Sequence, residues 1–151
     1  MNITYTNSIS ADDCAKLRDS AGWPKMHPEQ IRNGLKNSAY TIAAYDGETG
    51  IGMARLVSDG GYVVFVADVI VLPEYQRKGI GKTMMGKIME YLRGMLKDGY
   101  CIQIDLMAAM GKERFYEEFG FISRPDENFG CGMTQRIMSN SVIPDFRLEE
   151  K

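Results

Sequence analysis

From Gly79 to Lys97, apolar side chains recur every fourth residue at Ile80, Met84, Ile88, Leu92 and Leu96, while Lys82, Lys87, Glu90, Arg93 and Lys97 fall mostly elsewhere on the circumference. This period predicts an amphipathic helix. Upstream the rhythm is that of strands. Ala39 to Asp46 is rich in Tyr, Thr and Ile, and Asp46-Gly47 with the following Gly50 marks a hairpin into Ile51 to Val57. Asp59-Gly60-Gly61 marks another, leading into the long run Tyr62 to Leu72. Nearer the N-terminus, Ile3 to Thr6 reads as a short strand. Ser10 and Asp13 match a capping box for a helix ending near Gly22, and Pro28 suits the first turn of a second helix reaching about Asn37.

Beyond the long helix, Cys101 to Leu106 alternates as a strand, and the helical crossover sets it parallel to Tyr62–Leu72. Lys112 to Phe119 predicts a shorter helix that ends at Gly120. Phe121 to Arg124 and Gly132 to Met138 are expected to supply the last strands. The order β-α-α-β-β-β-α-β-α-β-β describes a mixed sheet with helices packed on it. With 151 residues, the chain is expected to be a single domain with an ample core.

Composition narrows the chemistry. Lys and Arg total 18 against 20 Asp and Glu, a charge of −2, so a nucleic-acid partner is not expected. The average conceals a division. Gln76 to Lys87 carries Arg77, Lys78, Lys82 and Lys87 with no acid, leaving 14 basic against 20 acidic residues elsewhere, a balance of −6. Cys14, Cys101 and Cys131 are far apart and odd in number, which argues against zinc or a disulfide framework and for a reducing cytoplasm. His27 is the only histidine, so multi-histidine metal sites are impossible, and no GxSxG elbow occurs. The longest apolar run, Val63 to Leu72, is broken by Asp68 and too short for a bilayer. Neither a membrane partner nor a signal peptide is expected.

A strand, a glycine-bearing basic loop and a helix start together make an anion site, because the first helical N–H groups have no intrahelical acceptor. Gly79 and Gly81 allow close backbone approach, and Arg77, Lys78 and Lys82 add charge. A solvated helix start is the plainer reading of the basic residues alone; the Gly-x-Gly after a long strand favours phosphate. Gly79-Ile80-Gly81-Lys82-Thr83 is superficially like the end of a P-loop, but Gln76 stands where that motif requires glycine.

Gln76-Arg77-Lys78-Gly79-Ile80-Gly81 matches in full the Gln/Arg-x-x-Gly-x-Gly/Ala acyl-CoA motif of the GCN5-related N-acetyltransferase (GNAT) superfamily, which the chain resembles over nearly its whole length. Asp68 to Tyr75 looks like that family's fourth strand and its exit, and Arg114 to Phe121 resembles its Phe-Tyr-x-x-x-Gly-Phe signature. The resemblance implies a GNAT-type α/β (α+β) fold: a mostly antiparallel sheet of six to seven strands, a parallel fourth and fifth strand, and about four helices. It implies direct transfer from acetyl-CoA, a co-substrate, to a primary amine in a ternary complex, with no metal. The fourth strand is expected to splay along Val69, Ile70 and Val71, pairing with the pantetheine arm as an added strand would. A backbone N–H near Ile70 or Val71 would hold the oxyanion, and the pyrophosphate would meet the amides of Arg77, Lys78, Gly79, Ile80, Gly81 and Lys82. Tyr116 matches the family's tyrosine that protonates the departing thiolate; periodicity alone makes it a core aromatic beside Phe115 and Phe119.

An alkylammonium acceptor must first lose a proton, which at pH 7 costs about 4 to 5 kcal/mol. Asp68, alone in an apolar strand, is one candidate base; the other reading has it hydrogen-bond a neighbouring loop and shape the sheet. Ala67-Asp68-Val69-Ile70-Val71 is also similar to a run in glucosamine-phosphate acetyltransferases, with Ala67 where that family has Glu. Trp23, Met26, His27 and Tyr40 on one side, and Phe129, Met133 and Gln135 on the other, are acceptor-pocket candidates. His27 also reads as a simple helix cap. The expected acceptor is a small-molecule amine, with a protein acetyltransferase or a silent acetyl-CoA-binding module as alternatives. Dimerisation is common in the family, and the tail Val142 to Lys151 reveals no interface.

Overall fold

The computed structural model describes residues 1–139 and 141–142. Ten of its elements follow the chain as β1 (Ile3–Thr6), α1 (Ala11–Ser20), α2 (Pro28–Lys36), β2 (Tyr40–Asp46), β3 (Thr49–Ser58), β4 (Val63–Val71), α3 (Ile80–Met95), β5 (Gln103–Leu106), α4 (Glu113–Glu117) and β6 (Ile137–Met138). β7 (Ser141–Val142) completes the order, and a single 3-10 turn, Pro73–Tyr75, leads out of β4. Local chemistry accounts for the helix starts. The Ser10 hydroxyl accepts from Asp13 N–H at 3.1 Å, and the His27 ring Nδ1 accepts from Glu29 N–H at 3.2 Å, with Pro28 opening α2. His27 is thus a helix cap.

The sheet has the order β1-β2-β3-β4-β5, antiparallel except for the parallel β4–β5 pair. Among the described residues this sheet therefore has five strands, not the six to seven expected. Phe121–Arg124 and most of Gly132–Met138 are not strands; among the described residues, β6 pairs with β7 in a separate two-stranded sheet. The backbone of the intervening loop is satisfied locally instead. The Asp126 carboxylate accepts from Asn128 and Phe129 N–H at 2.8 and 2.7 Å, and Asp126 N–H donates to the Phe129 carbonyl at 2.9 Å. Ile122 and Met133 are left 73% and 90% exposed, so neither supplies the buried face that fixes a strand's register.

One sheet face packs α3 and α4, burying Ile42, Leu56, Val66, Ile80, Met84, Ile88 and Tyr116 in one cluster. The other face packs α1 and α2 over Cys14, Leu17, Met53 and Ile70. Tyr40 stacks on Tyr91 at 4.3 Å, and the Tyr91 hydroxyl donates to the Ala39 carbonyl, clamping α3 to β2.

β4 departs from regular pairing at two places. Met53 faces Ile70 and Arg55 faces Ala67, so β4 carries one residue more than β3 between those points. This bulge includes Asp68, at a left-handed φ of 51°. The β4–β5 ladder then stops at Val66–Leu106, although β4 continues to Val71.

Gly52 lets α3 approach this strand. A Cβ there would stand 3.1 Å from the Ile70 carbonyl and 3.2 Å from Met84 Cε. Gly52→Val is expected to destabilise the fold by about 1–3 kcal/mol through overpacking. Urea titration would show this as a lower midpoint at unchanged slope.

Candidate active site

Leu72 N–H donates to the Ile51 carbonyl at 2.9 Å, which turns Leu72 toward β3. Strand alternation then turns the N–H and C=O groups of Val71 the other way, toward the gap that β5 leaves. Gln76 Nε2 donates to the Val71 carbonyl at 2.9 Å. The first residue of the motif is therefore a strut that ties the loop back to the strand, and the Val71 N–H has no protein acceptor among the described residues. Of the two amides singled out from sequence, Val71 faces the gap and Ile70 faces β3.

The loop beyond forms a cradle of backbone N–H groups at the start of α3. Arg77 and Gly79 both take left-handed φ, at 60° and 81°, and Gly79 caps α3 without a side-chain bond. The first helical bond runs from Thr83 N–H to the Gly79 carbonyl at 2.9 Å, so the N–H groups of Ile80, Gly81 and Lys82 precede the ladder. At Gly81 a Cβ would lie 3.4 Å from the Phe115 ring and 3.7 Å from Val71, so β4, α3 and α4 converge there. The Tyr75 hydroxyl donates to Asp46 at 3.0 Å and anchors the loop's start.

The basic segment is divided more finely than its sequence suggests. Arg77 and Lys78 are exposed at the cradle, with the Lys78 ammonium 5.1 Å from the Tyr75 ring centroid. Lys82 pairs with Glu118 at 3.4 Å on the surface. Lys87 lies over the Tyr5 ring at 5.8 Å, two turns along the helix, and takes no part in the loop.

Asp68 occupies the bulge. Arg18 Nη1 donates to its Oδ1 and Arg55 Nε to its Oδ2, both at 2.6 Å, with all three side chains largely buried. Arg55 Nη1 also reaches the Ser38 hydroxyl at 3.2 Å, and the Arg18 guanidinium lies 5.3 Å from the Trp23 ring centroid. Neither arginine stood out by motif. The signal for Arg55 was a charged residue amid the apolar strand Met53-Ala54-Arg55-Leu56-Val57. Cys14 lies in the same region; burial first, and then the Asp68 charge, push its thiol up, so it remains protonated and unreactive.

The acceptor candidates are scattered. Met26 lines a small pocket with Arg18, Arg55 and Asp68, and Trp23 packs beside Arg18. Tyr40 lies on the opposite sheet face against Tyr91. Phe129 lines a cavity of about 930 Å³ outside the free edge of β5, Met133 is 90% exposed, and Gln135 is exposed. Tyr116 is 9% exposed, flanked edge-on by Phe115 and Phe121, and lines that cavity beside Leu106 and Ala108. Burial raises its phenol above the ordinary value of 10. Among the described residues, no helix is long and apolar enough to cross a membrane, and no group of three or more His, Cys, Asp or Glu is placed to hold a metal ion.

The chain belongs to the acetyltransferase (GNAT) family, whose model matches residues 10–121. It is 31% identical over 128 residues to the uncharacterized N-acetyltransferase ycf52 of Porphyra purpurea, covering 82% of this chain and 71% of that protein. Histone acetyltransferase TAP1 of Glycine max is 32% identical over 129 residues, covering 78% of this chain and 54% of that protein. The fold superposes with TM-score 0.81 on SA2161 of meticillin-resistant Staphylococcus aureus, a protein of unknown function, at 30% identity, covering 90% of this chain and 100% of that one.

Removing the Asp68 carboxylate would leave two guanidiniums facing each other. Asp68→Ala is expected to cost about 3–5 kcal/mol, the usual result of stripping one partner from a buried charge cluster. Asp68→Asn, which tolerates the left-handed backbone, is expected to cost less. Equilibrium denaturation of both variants measures this; unchanged stability in both would show that the contacts do not hold the bulge.

Proposed function

We propose that the protein is an acetyl-CoA-dependent N-acetyltransferase acting on the primary amine of a small molecule, in a reducing compartment such as the cytoplasm. The observation that carries this reading is the end of the β4–β5 ladder at Val66–Leu106, directly before the cradle at the start of α3. An extended, amide-bearing thioester has a strand edge to pair with there, and its pyrophosphate has free helical N–H groups ahead.

Acetyl-CoA supplies the activated acyl group; this chain's groups position and stabilise it. The Val71 N–H is the donor assigned to the developing oxyanion, with Gln76 holding the Val71 carbonyl fixed behind it. The amides of Ile80, Gly81 and Lys82 hold phosphate, with Arg77 and Lys78 adding charge. Tyr116 is assigned the proton for the departing thiolate, and its raised pKa keeps that proton in place through neutral and mildly alkaline pH. For Asp68, both oxygens already accept guanidinium N–H bonds, which supports the shaping role over the base. The acceptor amine then enters the reaction already neutral.

A small acceptor is favoured over a protein because the pocket at the bulge holds only about 110 Å³, room for roughly four water-sized groups. Thiol release from acetyl-CoA with a mixed panel of amines and peptides tests the activity. Turnover of small amines supports it; peptide-only turnover, or binding without transfer, overturns it in favour of a protein modifier or a silent module.

Without a protein base, kcat/KM for an alkylamine is expected to rise with pH toward the amine's own pKa, near 10. Burial raises the Tyr116 phenol, which moves the opposing alkaline limb to higher pH than for an ordinary tyrosine. A plateau reached near pH 7 would return Asp68, or another group, to the role of base. Tyr116→Phe is expected to lower the single-turnover rate by about 100-fold with acetyl-CoA affinity retained.

A further inference from the structure

The small pocket between α1, α2, β3 and β4 carries more positive charge than its fold requires. Its charged walls are Arg18, Arg55 and Asp68, two cations against one anion, and its remaining lining is neutral, including Met26, Gln30 and Ile31. Asp13, on α1, is engaged with Lys16 at 3.5 Å and with the Tyr45 hydroxyl, and no α1 acid lines the pocket. Donors are in excess as well. Among the described residues the buried Arg18 Nε has no acceptor, and the partly exposed Arg55 guanidinium has its Nη2 uncommitted. A purely structural ion cluster is satisfied internally, since an unpaired buried donor on a charged group is costly. Water would fill one donor but would leave the net charge uncompensated.

We infer that this pocket receives a carboxylate borne by the acceptor, so that the substrates are amines that also carry a carboxylate, that is, amino acids. The inference rests on the acetyl-transfer reading and narrows its substrate class. The geometry suits that assignment. A volume of about 110 Å³ takes a carboxylate and a short stem. The pocket shares Asp68 with the bulge, and Val71, three residues further along β4, turns its N–H into the β4–β5 gap. A carboxylate bound by Arg18 and Arg55 sets the attached amine beside that gap. Both arginines present planar forks suited to carboxylate recognition. The acidic balance of the whole chain points instead to a simple cationic amine; the local charge at the pocket outweighs it, because nearby buried charge is screened far less than distant surface charge.

Trp23, the only tryptophan, stacks on Arg18 and reports on the pocket directly. Wild-type protein is titrated at constant ionic strength with propionate, propionamide and chloride. A saturable change in tryptophan fluorescence with propionate alone is expected; no change, or the same change with the amide or chloride, overturns the inference. In parallel, common amino acids, β-alanine and γ-aminobutyrate are each compared with their carboxamides as acceptors. The carboxylate forms are expected to have kcat/KM at least about tenfold higher, the difference lying in KM, and Arg55→Gln is expected to erase that ratio. Equal or better turnover of the carboxamides overturns the inference. Propionate binding with no acetylation of any amine keeps the anion pocket and removes the transferase reading, so the two failures are distinguishable. The titration uses the unaltered protein and so does not depend on the variant folding.

Discussion

The Asp68 carboxylate holds a guanidinium from α1 and another from β3, each at 2.6 Å, at the one point where β4 carries an extra residue. An aspartate in the left-handed region is strained by its own backbone, and the two charge-assisted bonds offset that strain. Beyond the bulge, β4 stays paired with β3 as far as Gly52–Val71, whereas its ladder with β5 has already ended at Val66–Leu106. The open edge, the direction of the Val71 amide and the approach of α3 are all set downstream of this contact. The site is made of backbone groups whose aim is determined by side chains on the opposite face of the sheet.

The motif segment divides its work in a way composition did not show. Gln76 is structural, bonding Val71; Arg77 and Gly79 supply backbone turns; Lys78 faces the cradle, and Lys87 packs on Tyr5. What gathers at the start of α3 is chiefly a set of N–H groups oriented by two left-handed residues. Side-chain charge supplements them.

The order of elements was legible because each part rests on local chemistry: hairpin glycines, the Ser10 and His27 caps, and the four-residue apolar period of α3. The cradle was legible for the same reason, its motif lying within one loop. The Asp68 contacts were not, since Arg18 and Arg55 lie 50 and 13 residues away and meet it only after the sheet and α1 have packed. Asp68 is a lone charge in an apolar strand, and Arg55, of opposite charge, is likewise isolated in the strand beside it. Phe121–Arg124 and most of Gly132–Met138 are not strands, because Ile122 and Met133 lie exposed and Asp126 draws the intervening backbone into a local turn.

The bond from Gln76 to Val71 is neutral at both ends. Mobile ions weaken the pull of exposed Arg77 and Lys78 over a distance of about 8–10 Å at physiological salt, yet they have little purchase on an amide-to-carbonyl bond. Ionic strength therefore acts on the two ends of this site unequally: it loosens the grip of the loop's side chains on any anion, while the strand edge keeps its shape. Salt becomes a means of separating attraction from alignment in one short segment of chain.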